Sequence, residues 1–404
     1  MPTSVRLSGP AGKWVLVVTA LGSGLVLLET TVVNVALPAL EHGLDASLAE
    51  LQWTVNAFTL TLSALILLGG GLGDRFGRRR VYLVGIVWFA AASLLCGLAV
   101  SGAWLIAGRA LQGIGGALIV PGSLALIQAA IHPDDRARAV GWWSGLSGMA
   151  GAAGPLVGGA LVDAAGWRWV FLVNVPIAVV IAALLARHVP ESRDDRPDHR
   201  FDVAGALLAA VGLGGVTYAL IQPSAAGWAA AAVGLIAFAG FVWVERRSEA
   251  PMLPLGLFAS RQFSAANLAS FFFYGALAGF IFFLPIQLQL TVGYAPLMAG
   301  LALLPLTALT LALSARAGAL TARIGPRVPL AAGSLCCAAA LLLAVRIGAQ
   351  SSYLTDVLPV VALTGIGIPL ITPPVTTTVL SAVPDARAGI ASAVTFSKSF
   401  YQGG

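Results

Sequence analysis

The stretch that decides the fold is GGLGDRFGRR at residues 70–79, because the chain repeats it as GALTARIGPR at residues 318–327. Each copy follows one long apolar run and precedes another, and the two copies begin 248 residues apart. A second pair of loops, PDDRA at 133–137 and PDARA at 384–388, shows nearly the same offset of 251 residues. Two unrelated loops that share one offset predict a chain made of two similar halves.

The composition places both halves in a membrane. The 404 residues are 58% hydrophobic and 10% charged, with a mean hydropathy of +0.90, whereas a soluble domain carries about 25% charged residues. Apolar runs of about 20 residues recur, each long enough to cross the hydrocarbon core. The sequence therefore predicts an all-α polytopic membrane protein with spans at 14–37, 51–73, 81–100, 104–130, 139–162, 169–187, 203–222, 229–244, 263–290, 297–316, 328–345 and 354–380, and a thirteenth from about 389.

The basic residues concentrate on one set of loops. With a cytoplasmic N-terminus, the loops of the opposite side hold only Arg168 and Arg346. The positive-inside rule therefore predicts this orientation in a plasma (bacterial inner) membrane. The net charge of +6 then reflects topology and not a nucleic-acid partner. The basic loops should also favour the anionic headgroups of the surrounding bilayer.

Cysteines and histidines give no sign of a metal or redox centre. Cys96, Cys336 and Cys337 all fall inside predicted spans, which favours small packing residues over a disulfide framework. The four histidines fall in loops without metal-ligand spacing. The sequence therefore predicts no metal site, no cofactor and no enzyme activity.

One long polar stretch, RHVPESRDDRPDHRFD at 187–202, is interpreted as a solvated cytoplasmic linker. The two spans that follow it have no partner in the repeat, so they are interpreted as an inserted hairpin. The predicted division is an N-terminal six-helix half at 1–187, the linker and hairpin at 188–262, and an incomplete C-terminal half at 263–404. Two six-helix halves are the architecture of secondary transporters, which bind substrate at the midplane between them.

Seven stretches carry recognisable motifs: GGGLGDRFGRRR (69–80), RALQGIGGA (109–117), GAAGPLVGG (151–159), LETTVVNVALP (28–38), GWRWVFLVNVPI (166–177), FDVAG (201–205) and GYAPLMAGLALLP (293–305). Together they resemble the major facilitator superfamily, and within it the fourteen-helix drug:proton antiporter branch of multidrug efflux type. The first three resemble the loop between helices two and three, the fourth-helix motif and the fifth-helix antiporter motif.

The resemblance implies two sets of functional residues. In the loop after helix two it implies a conformational lock in the outward-open state, in which Asp74 pairs with a helix N-terminus of the other half; the alternative is that the loop's cations only fix topology. The second copy of the loop has Ala322 in place of this aspartate. The implied lock residues are Asp74, Arg75, Gly77, Arg78 and Arg79, and the implied antiporter-motif residues are Gly151, Gly154, Pro155, Gly158 and Gly159.

Glu29 is the only one of the seventeen acidic residues that falls in the middle of a predicted span. A carboxylate there costs at least a few kcal/mol unless it is neutralised or faces water. Such a group can load a proton on one side and release it on the other, so we expect Glu29 to couple protons. Branch members carry Asp-x-Thr-x-x-Asn here, and this chain has Glu29, Thr31 and Asn34. The alternative is a glutamate kept protonated for packing.

Arg109 lies inside the fourth predicted span and shares one helical face with Gln112, Gly113 and Gly116. A membrane-embedded arginine must meet a carboxylate, backbone carbonyls or cavity water. We expect it to take part in proton coupling or to brace the central cavity. The alternative is a purely structural arginine.

Two further patterns concern helix faces. Gln52, Asn56, Thr59 and Ser63 fall on one face of the second span and, with Gln112, are the candidates for the substrate cavity. Along the fifth span, a stripe of glycines is expected to allow a close helix approach; its members are Gly145, Gly148, Gly151, Gly154 and Gly158.

The function these features predict is proton-coupled efflux of small hydrophobic or cationic compounds by alternating access, in a monomer energised by the proton gradient alone. Two alternatives stay open at this point. One is uptake by a symporter of the same fold, since fold does not dictate function. The other is a transport-incompetent membrane protein with a sensing or interaction role.

The end of the chain suggests a truncated gene product. Only about fifteen residues follow the loop at 384–388, fewer than the about 20 that a span requires. In the branch the pattern Gln-x-Gly-Gly continues into the rest of helix thirteen and helix fourteen, and here the chain stops after Gln402, Gly403 and Gly404.

Overall fold

The computed structural model describes residues 5–192, 203–248, 256 and 259–381, and its regular structure there is helical apart from one isolated β-bridge between Val5 and Ile131. The described helices are α1 Pro10–Leu44, α2 Leu48–Phe76, α3 Arg78–Gly97, α4 Gly102–Ala130, α5 Pro133–Ala165, α6 Arg168–Leu172, α7 Asn174–His188, α8 Val203–Ile221, α9 Ala225–Arg247, α10 Arg261–Leu290, α11 Pro296–Ala302, α12 Leu304–Ile324, α13 Arg327–Ala344 and α14 Leu358–Ser381, the last opened by a π-helical turn at Tyr353–Val357.

The predicted spans are confirmed for the part of the chain that the structure describes. Eleven segments are long and apolar enough to cross a membrane, and α2, which bends by 52° between Ile66 and Leu68, makes a twelfth. Two of these spans combine two helices, since α6 continues into α7 and α11 into α12. The chain is a polytopic helical membrane protein.

Serines start several of the helices. Ser47 precedes α2, and its hydroxyl accepts from the Glu50 amide at 3.3 Å while the Glu50 carboxylate accepts from the Ser47 amide at 2.9 Å. Ser101, Ser224 and Ser260 accept in the same way at the starts of α4, α9 and α10. These bonds satisfy backbone donors that have no partner within the helix. At α2, α4, α9 and α10, a serine between two apolar runs therefore fixes where the helix begins.

Backbone contacts divide the chain into two units. Unit 1 comprises Met1–Thr31, Ala39–Gly154 and Ala165–Met252, and unit 2 comprises Val32–Pro38, Pro155–Ala164 and Leu253–Gly404. Within unit 1, α4 packs against α2 and α3, and α8 pairs with α9 as a hairpin that also contacts α2. Within unit 2, α14 packs against α10, α12 and α13. The division passes through α1 and α5, while the predicted boundaries at 187/188 and 262/263 stay a prediction.

Three predictions fall on residues outside the described ranges. They are the part of the linker at 193–202, the second copy of the PDDRA loop at 384–388, and the start of a thirteenth helix from about 389, with its expected truncation. The first six residues of the predicted linker, 187–192, lie within the described ranges.

Glycine allows α4 to lie very close to its neighbours in unit 1. A Cβ added at Gly113 would meet the carbonyl oxygen of Phe58 on α2 at 2.5 Å. On another face of α4, a Cβ at Gly115 would meet the Cα of Phe89 on α3 at 2.9 Å. Small residues of this kind let membrane helices approach at backbone distance. This close packing places the arginine of α4 within reach of three other helices.

We predict that Gly113→Ala destabilises the protein, because the new methyl group would push against backbone and not against a flexible side chain. The expected loss is about 1–3 kcal/mol, as for overpacked cores, seen as a lower unfolding temperature of the purified chain in detergent. The matched control is Gly145→Ala on α5, where an added Cβ meets nothing within 4 Å. Equal shifts for the two variants would contradict the assignment of close packing at α4.

Candidate functional site

Glu29 lies in the buried interior of unit 1 and has both carboxylate oxygens occupied. Its side chain is 0% exposed. Oε1 is 2.6 Å from Nη1 of Arg109 on α4, and Oε2 accepts from Nδ2 of Asn174 on α7 at 2.6 Å. The two residues singled out from the sequence as proton-coupling candidates therefore form one buried ion pair.

The Arg109 guanidinium has three further partners besides the Glu29 carboxylate. Its Nε donates to the backbone carbonyl of Thr54 on α2 at 2.9 Å, and its Nη1 also donates to Oε1 of Gln112 at 2.6 Å. The guanidinium carbon lies 4.4 Å from the ring centroid of Phe58, a geometry in which the ring face attracts the cation. A buried arginine of 1% exposure thus finds an acid, a carbonyl, an amide and an aromatic face.

A serine on α3 closes the network. Gln112 Nε2 donates to Ser93 Oγ at 2.8 Å, and Asn174 Nδ2 lies 3.4 Å from the same hydroxyl. The network therefore joins residues of α1, α2, α3, α4 and α7. Asn174 Oδ1 is buried and finds no hydrogen-bond partner among the described residues, so the amide that binds Glu29 keeps one unused acceptor.

Sequence reasoning missed the contribution of Asn174, Ser93 and the Thr54 carbonyl. Asn174 had a signal, because it is an amide in the apolar run of GWRWVFLVNVPI, a stretch that served only as a family motif. Ser93 and the Thr54 carbonyl had none, since a single serine or a backbone oxygen is ordinary in a membrane helix. Their roles emerge only from the packing of α2 and α3 against α4.

The chemistry open to this network is the gain and loss of one proton at Glu29. Removing the charge of one partner in a buried pair leaves the other uncompensated, at a cost of several kcal/mol. A change in the charge of Glu29 must therefore be accompanied by a rearrangement around Arg109. Among the described residues no group of three or more His, Cys, Asp or Glu side chains could hold a metal ion.

The candidates for a substrate cavity lie in two different environments. On α2, Gln52 and Asn56 are partly exposed, whereas Thr59 and Ser63 are buried. Thr59 bonds to carbonyls of its own helix. Gln112 is 0% exposed and belongs to the Glu29 network. Contact of these residues with substrate stays a prediction.

The glycine stripe of α5 is only partly a contact surface. At Gly145 and Gly148 an added Cβ would meet nothing within 4 Å among the described residues, so the expected close approach is not found there. At Gly151 an added Cβ would meet Leu27 of α1 at 3.2 Å, and the carbonyl of this glycine accepts from Thr31 Oγ1 at 2.8 Å. In unit 1, α5 therefore contacts α1 at Gly151 and also earlier, where Trp143 Nε1 donates to Ser23 Oγ at 3.1 Å and Ser147 Oγ donates to the Ala20 carbonyl at 3.3 Å.

The later part of the motif packs within unit 2. A Cβ at Gly158 would meet the Val32 carbonyl oxygen at 2.7 Å, and one at Gly159 would meet the Pro296 carbonyl oxygen at 2.6 Å. Pro155 lies inside α5, and its carbonyl oxygen is against Gly300. Gly154, the remaining motif residue, is buried.

The predicted lock loop forms a local ion pair. Arg78 Nε donates to Asp74 Oδ1 at 2.8 Å, and Arg78 Nη2 lies 2.7 Å from the same oxygen. Gly77 between them has φ +105°, a conformation that side chains rarely adopt. Arg75 lies over the ring of Phe76 at 5.6 Å. Pairing of Asp74 with a helix N-terminus in an outward-open state stays a prediction.

Two residues at the start of the linker, Glu191 and Ser192, are bound to this loop, which corrects their interpretation as solvated; Arg187 and Pro190 are exposed as predicted. The Glu191 carboxylate accepts from the backbone amides of Arg79 at 3.1 Å and Arg80 at 3.2 Å. The Ser192 backbone carbonyl accepts from the Arg78 amide at 2.8 Å. A carboxylate is favoured at the positive N-terminus of a helix. The charge density of the linker concealed this capping role for α3.

Comparison with known proteins identifies the family of the chain. The family model described as the Major Facilitator Superfamily matches residues 19–401. The chain belongs to the Major Facilitator Superfamily. Members of this superfamily are transporters, which confirms the resemblance drawn from the motifs.

Similar sequences in this superfamily carry resistance and export names. The chain is 38% identical over 391 residues to the multidrug resistance protein Stp of Mycobacterium tuberculosis, covering 94% of this chain and 71% of that protein. It is 36% identical over 394 residues to the tetracenomycin C resistance and export protein of Streptomyces glaucescens, covering 95% and 73%. Among solved structures, a peptide transporter of the POT type matches with a TM-score of 0.73 at 15% identity, covering 99% and 89%, which supports the fold.

We predict strong coupling between Glu29 and Arg109 in stability. Arg109→Gln leaves an uncompensated buried carboxylate and should cost about 3–5 kcal/mol, while the double variant with Glu29→Gln should recover part of that loss. Thermal unfolding of the four proteins in detergent measures the coupling. The control cycle is the exposed pair Arg6 and Asp134, for which less than about 1 kcal/mol is expected. Additive losses at the buried pair would contradict the network.

We predict that Glu191→Gln loosens the start of α3, because the charge that caps its amides is lost. Hydrogen exchange of the Arg79 and Arg80 amides should rise by on the order of tenfold, since a charge-assisted bond is worth about 1.5–3 kcal/mol. The control is Glu41→Gln, a change of equal charge on α1. Unchanged exchange at both amides would restore the interpretation of a solvated linker.

Proposed function

We propose that the chain exports small hydrophobic or cationic compounds across the plasma membrane by alternating access, driven by proton entry. The observation that carries the proposal is the Glu29–Arg109 pair, fully buried within spans of unit 1 at 2.6 Å. Intramembrane ionisable residues are expensive and belong by default to ion or substrate pathways. Proton coupling explains why a buried ion pair is present in these spans, whereas packing alone would be served by apolar residues.

The coupling step in this proposal is an exchange of partners around Arg109. When Glu29 takes up a proton, its attraction for the guanidinium falls, and Arg109 keeps the Thr54 carbonyl, Gln112 and the Phe58 ring. The protonated carboxyl then needs an acceptor. The unused Oδ1 of Asn174 can supply one after the amide turns over. Proton binding thereby changes the bonds that join α1, α4 and α7.

Export is favoured over uptake by the names of the relatives. Stp is named a multidrug resistance protein, and the Streptomyces glaucescens protein is named for resistance and export. The fold alone does not give the direction, because a D-xylose–proton symporter matches with a TM-score of 0.67. We infer the direction from the sequence relatives, which resemble this chain far more closely.

The proposal also includes orientation, energy source and state of assembly. The basic loops, including the loop of Arg78, Arg79 and Arg80, are assigned to the cytoplasm by the positive-inside rule, which places the N-terminus there as well. The proton gradient is proposed as the only energy source, with no bound cofactor. The chain is proposed to act as a monomer in the bilayer, with a small molecule as its substrate.

We predict that Glu29→Gln abolishes proton-coupled efflux, because the amide has nearly the same size but cannot titrate. Inverted vesicles from a host lacking its own pumps report coupling as ethidium-induced loss of an imposed pH gradient, followed by a pH-sensitive dye. Glu29→Asp should retain activity, and Arg109→Ala should lose it while still reaching the membrane. A drug-susceptibility panel in the same host selects further substrates.

Glu41→Gln is the matched control, since it removes a carboxylate from the same helix outside the network. Gradient loss by Glu29→Gln equal to that of the unmodified chain would refute proton coupling through this residue. Accumulation of substrate inside cells, dependent on the gradient, would replace export by symport. Loss of coupling in both Glu29→Gln and Glu41→Gln would show that the effect is not specific to the buried site.

A further inference from the structure

A cavity of 580 Å³ lies beside the N-terminal ends of α1 and α5, apart from the Glu29 network. Lys13 and Leu16 of α1 form one side, and Arg138 and Trp142 of α5 form the other. The segment 6–8, which precedes α1, and the carboxylate of Asp135 at the start of α5 complete the lining, which thus holds three cations and one anion. The volume lies in the range of small-molecule sites in proteins, about 300–1,000 Å³.

The segment before α1 is fixed in place. The Val5 amide donates to the Ala130 carbonyl at 2.8 Å, and the His132 amide donates to the Val5 carbonyl at 3.0 Å. The Leu7 amide donates to Asp135 Oδ2 at 3.1 Å. The cavity is therefore a formed feature of the fold, with its wall hydrogen-bonded to the turn between α4 and α5.

The cavity has an excess of positive charge. Of its three cations, Arg6 is paired with Asp134 at 3.1 Å and lies 3.9 Å from Asp135. Lys13 and Arg138 are exposed and have no ion-pair partner among the residues that the structure describes. In addition, α1 has no acidic residue in its own first turn, so the positive end of its dipole adds to the charge of these cations. The site favours an anionic group.

A separate apolar groove of 390 Å³ lies next along α1 and α5, with α7 as a third wall. It is lined by Val17, Ala20, Leu21, Gly24, Leu25 and Leu28 of α1, by Leu146 and Ala150 of α5 and by Ile177 of α7. On α1 these positions continue the three- and four-residue spacing of the cavity residues, so they lie on one helical face. On α5 they follow Trp142 at spacings of four. One surface therefore has a cationic end and an apolar remainder.

The length of this surface matches one leaflet of a bilayer. From Leu16 to Leu28 the groove follows α1 for about 18 Å at 1.5 Å per residue, and half of the hydrocarbon core is about 15 Å. Trp142, which is 55% exposed, lies at the junction of the cationic and apolar parts, the depth at which tryptophan is enriched in membrane proteins. A phospholipid site needs a polar pocket for the headgroup and an apolar groove about one leaflet long for an acyl chain. The two cavities have this arrangement.

We propose that this surface, the α1–α5 groove, binds one acidic phospholipid. Its phosphate lies between Lys13 and Arg138, and one acyl chain follows the groove past Leu21 towards Leu28. A zwitterionic headgroup would bring its own cation to a site that already has two. The preference is therefore for a headgroup with net negative charge. This inference concerns binding, and it holds whether or not the chain exports drugs by proton coupling.

The test is native mass spectrometry of the delipidated 404-residue chain with added phosphatidylglycerol or phosphatidylcholine of identical acyl chains. The unmodified chain should bind phosphatidylglycerol on the order of tenfold more tightly, since each cation near a membrane surface contributes roughly fivefold for an acidic lipid. The double variant Lys13→Gln, Arg138→Gln should lower phosphatidylglycerol binding to the level of phosphatidylcholine. Leu21→Gln should weaken both lipids without changing their ratio.

The matched control is the double variant Arg323→Gln, Arg327→Gln, which removes two exposed arginines from another basic loop. It should keep the preference for phosphatidylglycerol, and circular dichroism checks that all variants are folded. Equal binding of the two lipids by the unmodified chain would overturn the proposal. So would a preference that both double variants lose equally. Binding of the soluble sulfonate 1-anilinonaphthalene-8-sulfonate that depends on Lys13 and Arg138, without any lipid preference, would assign the groove to soluble acids and likewise overturn it.

Discussion

An arginine that is almost fully buried in a membrane span must be neutralised where it lies, and the interior of unit 1 is organised by that constraint. Arg109 reaches Glu29, Gln112 and the Thr54 carbonyl only because α4 lies against its neighbours at glycine positions. Wider helix spacing would leave the guanidinium without partners in a medium that supplies no water. Close packing and charge neutralisation in this unit therefore depend on each other.

The fold was predictable from the sequence because its signals are long and repeated. Twelve apolar runs and a duplicated loop can be recognised in the sequence without any knowledge of which side chains contact each other. The pairing of Glu29 with Arg109 was within reach for the same reason, since two buried charges of opposite sign in one half have few other solutions. The distance between them, and the part taken by Asn174, depend on how α7 packs and are not encoded in any local pattern.

Local patterns failed where a residue's neighbours, and not its own type, decide its role. Glu191 belongs to a run of charged residues that is typical of a solvated loop. It nevertheless caps the start of α3, because the segment that follows the C-terminal end of α7 lies beside α3. Gly145 and Gly148 continue a regular stripe, yet in the described part of the chain a Cβ added at either position would meet no atom within 4 Å. Periodicity identifies a face of a helix but not what covers that face.

One partner of Arg109 is a main-chain oxygen, and this limits what genetics can reveal about the network. Every amino acid placed at position 54 would still present the carbonyl that accepts from the arginine Nε. A saturation scan would test Glu29, Arg109 and Asn174 through the side chains that form the network, whereas at Thr54 it would test only a buried side chain and not the carbonyl. Mutagenesis therefore underestimates the number of groups in such a site, because a substitution changes a side chain but leaves the main-chain carbonyl in place.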